Sequence, residues 1–325
     1  MTMPQLTWRR ALDPQRSAMA REVLAGLRAT PKVVSPKYFY DDVGARLFEA
    51  ITQLPEYYPT RTELEILRTH ATDIAGAIGP AATLVEFGSG AAVKVRLLLD
   101  ALERPTAYVP IDISSEQLVR VARERRREYP ALAVQPVCAD YTSRVTLPSL
   151  EAGSRRVAFF PGSTIGNFHP AEATAFLSRV RDMVGPTGAM VLGVDRRKDP
   201  RVLHDAYNDT AGVTAEFNVN VLARFNRELD GIFDLDGFAH RAFFNDGQSR
   251  IEMHLESLYD QVAWVAGTSV AFARGETIHT ENSYKYDAAR LAALVEPAGF
   301  QVTRTWTDPN DWFWVVLLDP TPGTR

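Results

Sequence analysis

The chain has a single cysteine, Cys138, among its 325 residues. One thiol excludes an internal disulfide framework and any metal site built from several cysteines. Cys138 ends an apolar run, which predicts a buried structural thiol rather than a nucleophile. The histidines show no paired metal-ligand spacing; they are His70, His169, His204, His240, His254 and His279. We therefore expect the protein to need no metal.

Long hydrophobic runs and an excess of basic charge are also absent from the sequence. No apolar run approaches the roughly 20 residues that a membrane span needs, and Met1–Arg10 lacks the apolar core of a secretory signal. The formal net charge is −4. The one basic cluster, Arg123–Glu128, is interrupted by acids and predicts a solvated helix face. These absences favour a cytoplasmic protein that binds neither nucleic acid nor a membrane. We also expect a monomer, although no sequence pattern gives the oligomeric state.

What the chain does contain is a regular alternation of helical and strand patterns from Thr62 onward. Short β-branched and apolar runs predict strands, and apolar residues at helical spacing predict the helices between them. This order is typical of a mostly parallel, doubly wound α/β sheet. The predicted strands are Thr83–Phe87, Ala107–Ile111, Leu132–Val137, Arg156–Phe160 and Ala189–Val194.

The alternation lapses between residues 197 and 286. Two helices are predicted there, Arg201–Ala211 and Val213–Leu229, followed by strand-like runs over 239–244, 250–258 and 261–264. The segment therefore predicts an inserted α+β region. Beyond it, a helix over 287–298 and two strands ending at Leu318 are expected to complete the large sheet.

Two tyrosine-rich segments flanked by prolines precede the alternation, Pro36–Asp42 and Leu54–Arg61. Proline fixes its own φ and disfavours helix at the residue before it, which predicts extended or turn backbone at the tyrosines. Each ring can pack while its hydroxyl seeks a partner. The segments therefore suit the wall of a pocket, although a loop packed on the core would look the same.

Polar residues end successive predicted strands. Gly88-Ser89-Gly90 follow the first strand, Asp112 the second, Asp140 with Tyr141 the third, and the loop 162–167 the fourth. Ligands of open α/β sheets bind at this edge, which predicts a nucleotide-like cofactor. Val93 stands where a dinucleotide fingerprint has its third glycine, and no phosphate-binding Lys-Ser or Lys-Thr follows. An adenosyl ligand without a pyrophosphate, such as S-adenosylmethionine, fits better.

The sequence resembles the histidine-specific Nα-methyltransferases of ergothioneine biosynthesis over about residues 15–318. The motifs that carry the resemblance are Pro36–Asp41 (PKYFYD), Leu54–Glu63 (LPEYYPTRTE), Val85–Gly90 (VEFGSG), Gly162–Asn167 (GSTIGN), Ala211–Asn218 (AGVTAEFN), Asn226–Leu229 (NREL) with Phe233–Leu235 (FDL), Arg250–Met253 (RIEM) and Thr280-Glu281.

The resemblance implies a Rossmann-like class I methyltransferase sheet and a second, α+β substrate-binding domain formed by the N-terminus and the insertion. The cofactor domain is expected over residues 62–196 and 287–325, and the substrate domain over 9–61 and 197–286. S-adenosylmethionine is assigned by the resemblance to Gly88, Lys94, Asp112, Asp140 and Tyr141. This chain departs from the family at Ala91-Ala92-Val93, where Thr-Ser-Glu is common, and at Tyr141, where Phe is more usual.

The resemblance also implies the substrate, L-histidine, and the residues that bind it. These are Tyr57, Gly162, Asn167, Tyr207, Glu281 and Ser283, with Tyr40, Phe48 and Met253 lining the pocket. Glu281 and Ser283 would hold the imidazole nitrogens, and Tyr40 and Tyr57 would face the reacting α-amine. The implied reaction is trimethylation of that amine.

Other activities stay open at this point. The same chemistry could act on another amino acid such as tryptophan, although Glu281 and Met253 favour histidine. A methyltransferase-like protein could also bind metabolites without turnover. An oxidoreductase is less consistent with Val93 and with the lack of a clear proton-transfer histidine.

Overall fold

The computed structural model describes residues 14–90, 92–151 and 153–322. The predicted start of the substrate domain at residue 9 and residues 323–325 of the predicted cofactor domain lie outside the described part, as do Ala91 and Ala152. The helices are α1 Pro14–Arg28, α2 Asp42–Ile51, α3 Tyr58–Ile78, α4 Ala92–Ala101, α5 Ser115–Glu128, α6 Pro170–Val184, α7 Pro200–Asp205, α8 Val213–Glu228 and α9 Ala288–Val295.

The strands are β1 Lys32–Val33, β2 Ala82–Phe87, β3 Ala107–Asp112, β4 Ala133–Val134, β5 Val137–Cys138, β6 Arg155–Phe160, β7 Ala189–Asp195, β8 Phe238–Asn245, β9 Arg250–Ser257, β10 Gln261–Val265, β11 Thr268–Phe272, β12 Thr277–Tyr284, β13 Phe300–Thr307 and β14 Phe313–Pro320. Short 3₁₀ turns cover Pro36–Phe39, Thr164–Asn167 and Leu235–Gly237. Within the described residues, no helix combines the length and apolarity needed to cross a membrane.

An eight-stranded sheet dominates the larger of two compact units. Its order is β13-β14-β7-β6-β2-β3-β4, and β5 also pairs with β3. All pairs among β7, β6, β2, β3, β4 and β5 are parallel. Strand β14 is antiparallel to both β7 and β13. The strand order reverses between β2 and β6, so the crevice at their carboxyl ends is the expected ligand position. The predicted doubly wound sheet is confirmed.

Apolar packing covers both faces of this sheet, because successive strand side chains point to opposite sides. Every residue of β2 and of β7 is buried. On one face, Leu84 packs in a cluster with residues of α3 and α4, such as Ile74 and Leu98. On the other face, Val85 packs with residues of α6 and α9, such as Phe176. The three-layer core thus fixes the strand ends that carry polar residues.

The two units are discontinuous in sequence. The larger unit contains Leu54–Ala206, Phe244–Ile251 and the described residues from Asn282 onward. The smaller unit contains the described residues up to Gln53, together with Tyr207–Phe243 and Glu252–Glu281. The predicted domain boundaries, which follow sequence pattern rather than packing, stay a prediction.

The smaller unit combines helices with parallel and antiparallel strand pairs. A second sheet has the order β1-β12-β9-β8, and β10 pairs with β11 as a hairpin. Asp41 accepts a hydrogen bond from the backbone of Gly44 at 2.8 Å and so caps α2. Phe39 stacks on Phe217 of α8 with 4.6 Å between ring centroids. These contacts tie the first tyrosine segment to α8.

Several local predictions were wrong. The tyrosine segments contain helical turns: a 3₁₀ turn spans Pro36–Phe39, and α3 begins at Tyr58 with Pro59 in its first turn. Proline is accommodated there because the first turn of a helix has no partner for its N–H groups. The predicted helix Arg201–Ala211 ends at Asp205, and the predicted strand Leu132–Val137 is two short pieces.

Two burial predictions were also wrong. Cys138 is exposed at the edge of the sheet instead of buried. Arg125 is only 2% exposed, although the rest of the basic cluster on α5 faces solvent. Its guanidinium pairs with Glu128 one turn further along the helix, at 2.6 Å. A run of charged residues does not indicate which one of them the helix buries.

Candidate active site

The glycine turn after β2 is bound to the end of β3. Gly88 has a φ of +78°, a conformation that favours glycine, and its N–H donates to the carbonyl of Ile111 at 2.9 Å. The Ser89 N–H donates to Oδ2 of Asp112 at 3.0 Å, and the Ser114 N–H donates to Oδ1 of that carboxylate at 3.0 Å. Two predicted cofactor residues, Gly88 and Asp112, are therefore brought together at one edge.

Asp140 and Tyr141 lie beside this turn. The Thr142 N–H donates to Oδ1 of Asp140 at 2.8 Å, which fixes the carboxylate. The Tyr141 ring packs edge-on against Phe87 with 6.1 Å between centroids. Burial, with the nearby charges of Asp112 and Asp140, raises the pKa of Tyr141 well above its usual range. The Tyr141 hydroxyl therefore stays protonated.

This edge suits an adenosyl cofactor. Two carboxylates can accept hydrogen bonds from ribose hydroxyls or amino groups, and the aromatic ring offers a stacking surface. A Cβ added at Gly88 would lie 4.0 Å from Cε1 of Tyr141. Gly88 therefore lies against that ring, and its positive φ rather than a steric clash favours glycine at this position. The acceptors at this edge are carboxylates, and their negative charge disfavours a phosphate-rich ligand.

Lys94 is not an isolated cation at this edge. Its ammonium, on α4, donates to Oε2 of Glu63 at 2.6 Å. The same carboxylate accepts the N–H of Gly162, with distances of 3.0 Å to Oε1 and 2.9 Å to Oε2. Glu63 therefore joins a predicted cofactor residue, Lys94, to a predicted substrate residue, Gly162. Sequence reasoning missed this role, since Glu63 lies within the helical segment before β2.

The loop after β6 places Asn167 near the end of β12. A Cβ added at Gly166 would lie 2.9 Å from the carbonyl oxygen and 3.1 Å from the nitrogen of Tyr284, so only glycine permits this approach. Asn167, half-buried, ends the 3₁₀ turn that follows Gly162. Ser163 accepts the backbone N–H of Asp195 through Oγ at 2.8 Å, which anchors the loop to β7.

A buried charge network lies next to this loop. The Tyr58 hydroxyl contacts both oxygens of Asp195, at 2.9 Å and 2.7 Å. Lys198 and Lys285 both donate to the same carboxylate. Burial alone would raise the pKa of Asp195, but the two ammonium groups hold it below its usual range. Burial lowers the pKa of Lys198 to about 8, although Asp195 opposes the shift. No sequence pattern predicted this network.

Strand β12 carries the two residues predicted to recognise an imidazole ring. Glu281 and Ser283 are two positions apart, so their side chains leave the same face of the strand. Glu281 is half-buried and Ser283 is buried. Without the resemblance, Glu281 would be taken for a surface acid in a loop. That alternative is wrong, because residues 277–284 form a strand.

The remaining predicted residues are divided between the two units. In the smaller unit, Tyr40 is exposed and meets Phe48 edge-on at a centroid distance of 5.6 Å. In the same unit, Tyr207 and Met253 are buried, and the Met253 carbonyl accepts the Thr280 hydroxyl at 3.1 Å. In the larger unit, Tyr57 is buried immediately before α3.

One group of metal-ligating side chains occurs within the described residues, Glu252, His254 and His279, with ligand atoms within 4.8 Å of one another. Strand pairing creates this group, so residue spacing did not predict it. The imidazoles of His254 and His279 are stacked, with centroids 4.5 Å apart and an interplanar angle of 15°. In-plane lone pairs of stacked rings run side by side and do not converge on one ion. The group therefore gives weak support for a metal site.

The sheet order, the reversed β14 and the acidic strand ends define the class of the protein: it is a Rossmann-like, S-adenosylmethionine-dependent methyltransferase. Enzymes of this class transfer the sulfonium methyl group of that cofactor to an acceptor. The chain belongs to the family described as histidine-specific, S-adenosylmethionine-dependent methyltransferases, whose sequence profile matches residues 19–320.

Three curated relatives illustrate the family. The histidine N-alpha-methyltransferase of Mycolicibacterium smegmatis is 45% identical over 312 residues, covering 94% of this chain and 96% of the relative. The histidine N-alpha-methyltransferase of Mycobacterium tuberculosis is 42% identical over 310 residues, with 94% and 96% covered. A more distant relative, the 4-dimethylallyltryptophan N-methyltransferase of Claviceps purpurea, is 24% identical over 315 residues, with 90% and 92% covered.

Proposed function

We propose that this enzyme transfers three methyl groups from S-adenosylmethionine to the α-amine of L-histidine, giving trimethyl-histidine for ergothioneine biosynthesis. The observation that carries the proposal is the similarity, over nearly the full length of both chains, to two histidine N-alpha-methyltransferases. The pair Glu281 and Ser283 on one face of β12 supports the same substrate.

The residues at the carboxyl edge of the sheet would hold the cofactor. Asp112 and Asp140 would accept hydrogen bonds from its adenosine part, Tyr141 would pack against it, and Gly88 would permit its close approach. Lys94 would act through Glu63 rather than as a separate cation. When bound, S-adenosylmethionine supplies an electrophilic methyl group on a sulfonium centre.

Two sets of side chains would bind the ends of the amino acid. Glu281 and Ser283 would hold the imidazole nitrogens, and Asn167 and Tyr207 can donate to the carboxylate. Gly162, Phe48 and Met253 would shape the remaining surface. A buried carboxylate left without its N–H partner is costly, so side chains lacking a ring N–H should be rejected strongly.

The α-amine must be neutral to attack the methyl group. Chain-terminal α-amino groups lose their proton near roughly pH 7.7–8.0, and the carboxylate of a free amino acid raises this value. The amine must therefore give up a proton to solvent before each of the three transfers, for which a strong base is not required. Tyr40 and Tyr57 would accept from the amine and orient it, and their rings can accommodate the growing methylammonium. Orientation of the two reactants can then supply much of the rate enhancement.

Replacement of Glu281 tests the account of ring recognition. We expect Glu281→Ala to weaken L-histidine binding roughly tenfold to a hundredfold, because a charge-assisted hydrogen bond is lost. The measurement is calorimetric titration of L-histidine in the presence of S-adenosylhomocysteine. Glu256→Ala, which removes a half-buried acid from β9, is the matched control. Equal affinities of Glu281→Ala and wild type would remove the assigned role.

A second candidate substrate, tryptophan or a derivative of it, is suggested by the Claviceps purpurea relative. An indole has one N–H and more bulk than an imidazole, so the pair Glu281 and Ser283 suits it less well. A cytoplasmic location and a monomeric state stay predictions beside this proposal.

A further inference from the structure

Lys285 is a buried cation that the proposed chemistry does not yet use. It follows the last residue of β12, is 1% exposed, and donates a hydrogen bond from Nζ to Ser283 Oγ at 2.9 Å. A second hydrogen bond runs to Oδ2 of Asp195 at 2.7 Å. The hydroxyl assigned to the imidazole ring is therefore held by an ammonium group.

The position of Lys285 is fixed from two sides. Its backbone N–H donates to the carbonyl of Ser249 at 2.7 Å, and the Ser249 hydroxyl donates to its carbonyl at 2.9 Å. Its side chain is bound by Asp195, which is itself 1% exposed and receives the Tyr58 hydroxyl. A side chain held in this way has little freedom to turn away from Ser283.

The polarity of the contact determines how Ser283 is oriented. An ammonium group only donates hydrogen bonds, so the Ser283 oxygen is the acceptor and its hydrogen points away from Lys285. A hydroxyl oriented in this way can donate to a ligand atom that accepts. A neutral imidazole has one such nitrogen, whereas an imidazolium ion has none.

Charge favours the same protonation state of the ligand. Lys285 and Lys198 carry two positive charges against the single negative charge of Asp195. Lys285 contacts Ser283 directly, Asp195 contacts Lys285, and Lys198 and Tyr58 contact Asp195. Glu281 lies two residues before Ser283 on β12. Glu281 can accept the ring N–H, while the Lys285 ammonium that contacts the Ser283 oxygen disfavours a second N–H on the adjoining side of the ring.

We propose that Lys285, fixed by Asp195, is a positioning residue that orients the Ser283 hydroxyl as a donor, so that the enzyme selects the neutral imidazole ring of its substrate. The inference rests on the proposed function, since it needs histidine as the ligand. Lys285 acts through Ser283 and does not itself touch the ring.

The test is the pH dependence of histidine affinity, measured by calorimetry with S-adenosylhomocysteine present. Wild-type affinity should fall as the pH drops below the imidazole pKa of about 6.5. Lys285→Met should weaken binding about tenfold above that pH and flatten the profile, because the hydroxyl loses its orientation. Lys285→Arg keeps a cationic donor and should retain the wild-type profile. In a Ser283→Ala background, Lys285→Met should have no further effect.

Two outcomes would overturn the inference: an unchanged pH profile in Lys285→Met, or an equal effect of that substitution with and without Ser283. If Lys285→Met does not fold, as judged by circular dichroism, Ser283→Ala decides alone, and a profile as steep as wild type refutes the proposal. Failure of the proposed function is distinguishable, since wild-type protein would then bind no L-histidine at any pH.

Discussion

At the scale of single residues, the sequence predicted the positions of Asp112 and Asp140 but not that of Glu63. Asp112 and Asp140 were predictable, because they follow strand patterns and the ends of parallel strands meet at one edge. Glu63 lies in a helix, and only folding brings its carboxylate to Lys94 and to the N–H of Gly162. Contacts between a helix and a distant loop leave no local pattern.

Loss of the Glu63 carboxylate should destabilise the fold. Glu63→Gln leaves the ammonium of Lys94, whose side chain is 6% exposed, without its ion-pair partner. We expect the free energy of unfolding to fall by about 3 kcal/mol, as for other broken buried pairs. Urea unfolding measures the change, with Glu65→Gln on the exposed face of the same helix as control. A loss no larger than that of the control would show that the pair contributes little.

Glu86 provides a pH-dependent test at the same scale. Burial raises the pKa of Glu86 to about 8, although the hydrogen bond from Tyr108 and the charge of Arg125 oppose the shift. In the unfolded chain a glutamate ionises near pH 4.3, roughly. The folded state therefore holds the proton more tightly. The stabilisation is complete below the lower pKa and is lost as the pH rises to the folded value.

Glu86→Gln should remove this loss. The unfolding free energy of the variant, relative to wild type, should then increase with pH across this window, by at most about 1.4 kcal/mol per pH unit. Urea unfolding of both proteins at several pH values gives the comparison. Parallel stability curves across the window would contradict the raised pKa.

At the scale of elements, hydrophobic pattern predicted the strands of the large sheet but not β12. The sheet strands are buried on both faces and read as continuous apolar runs. The β12 sequence, Thr277–Tyr284, is mostly polar, because side chains such as Thr280 and Ser283 are buried in hydrogen bonds rather than in apolar contacts. The backbone of the tyrosine segments was predicted wrongly for another reason. Proline occurs in the first turn of helices as well as in loops.

The loop that carries Asn167 is predicted to depend on Gly166. Gly166→Ala would place a Cβ 2.9 Å from the Tyr284 carbonyl oxygen, so the loop must shift. We expect weaker L-histidine binding with S-adenosylhomocysteine binding retained, because the predicted cofactor residues lie on α4 and at the ends of β2, β3 and β5. Calorimetry with each ligand measures the two affinities separately. Gly76→Ala is the control, because a Cβ added at Gly76 would have no atom within 4 Å. Equal loss for both ligands would instead indicate general unfolding.

At the scale of the whole molecule, the two units contribute differently to what sequence could predict. The predicted cofactor residues all lie in the larger unit, on α4 and at the ends of β2, β3 and β5, which follow one another in the sequence. Their position at one edge of the sheet could therefore be predicted from local motifs. The predicted substrate residues are divided between the units, with Tyr40, Phe48, Tyr207, Met253 and Glu281 in the smaller one. Their roles came from the resemblance alone, because no periodicity links positions so distant in the chain.

The central claim is that this enzyme trimethylates the α-amine of L-histidine. Mass spectrometry of a reaction with purified protein, S-adenosylmethionine and L-histidine tests it most directly, with L-tryptophan as the competing substrate. We expect histidine to gain mass in three successive methyl increments, with fragmentation placing every methyl group on the α-nitrogen, and tryptophan to remain unmodified. No mass gain on histidine, methylation of a ring nitrogen, or faster methylation of tryptophan would contradict the account.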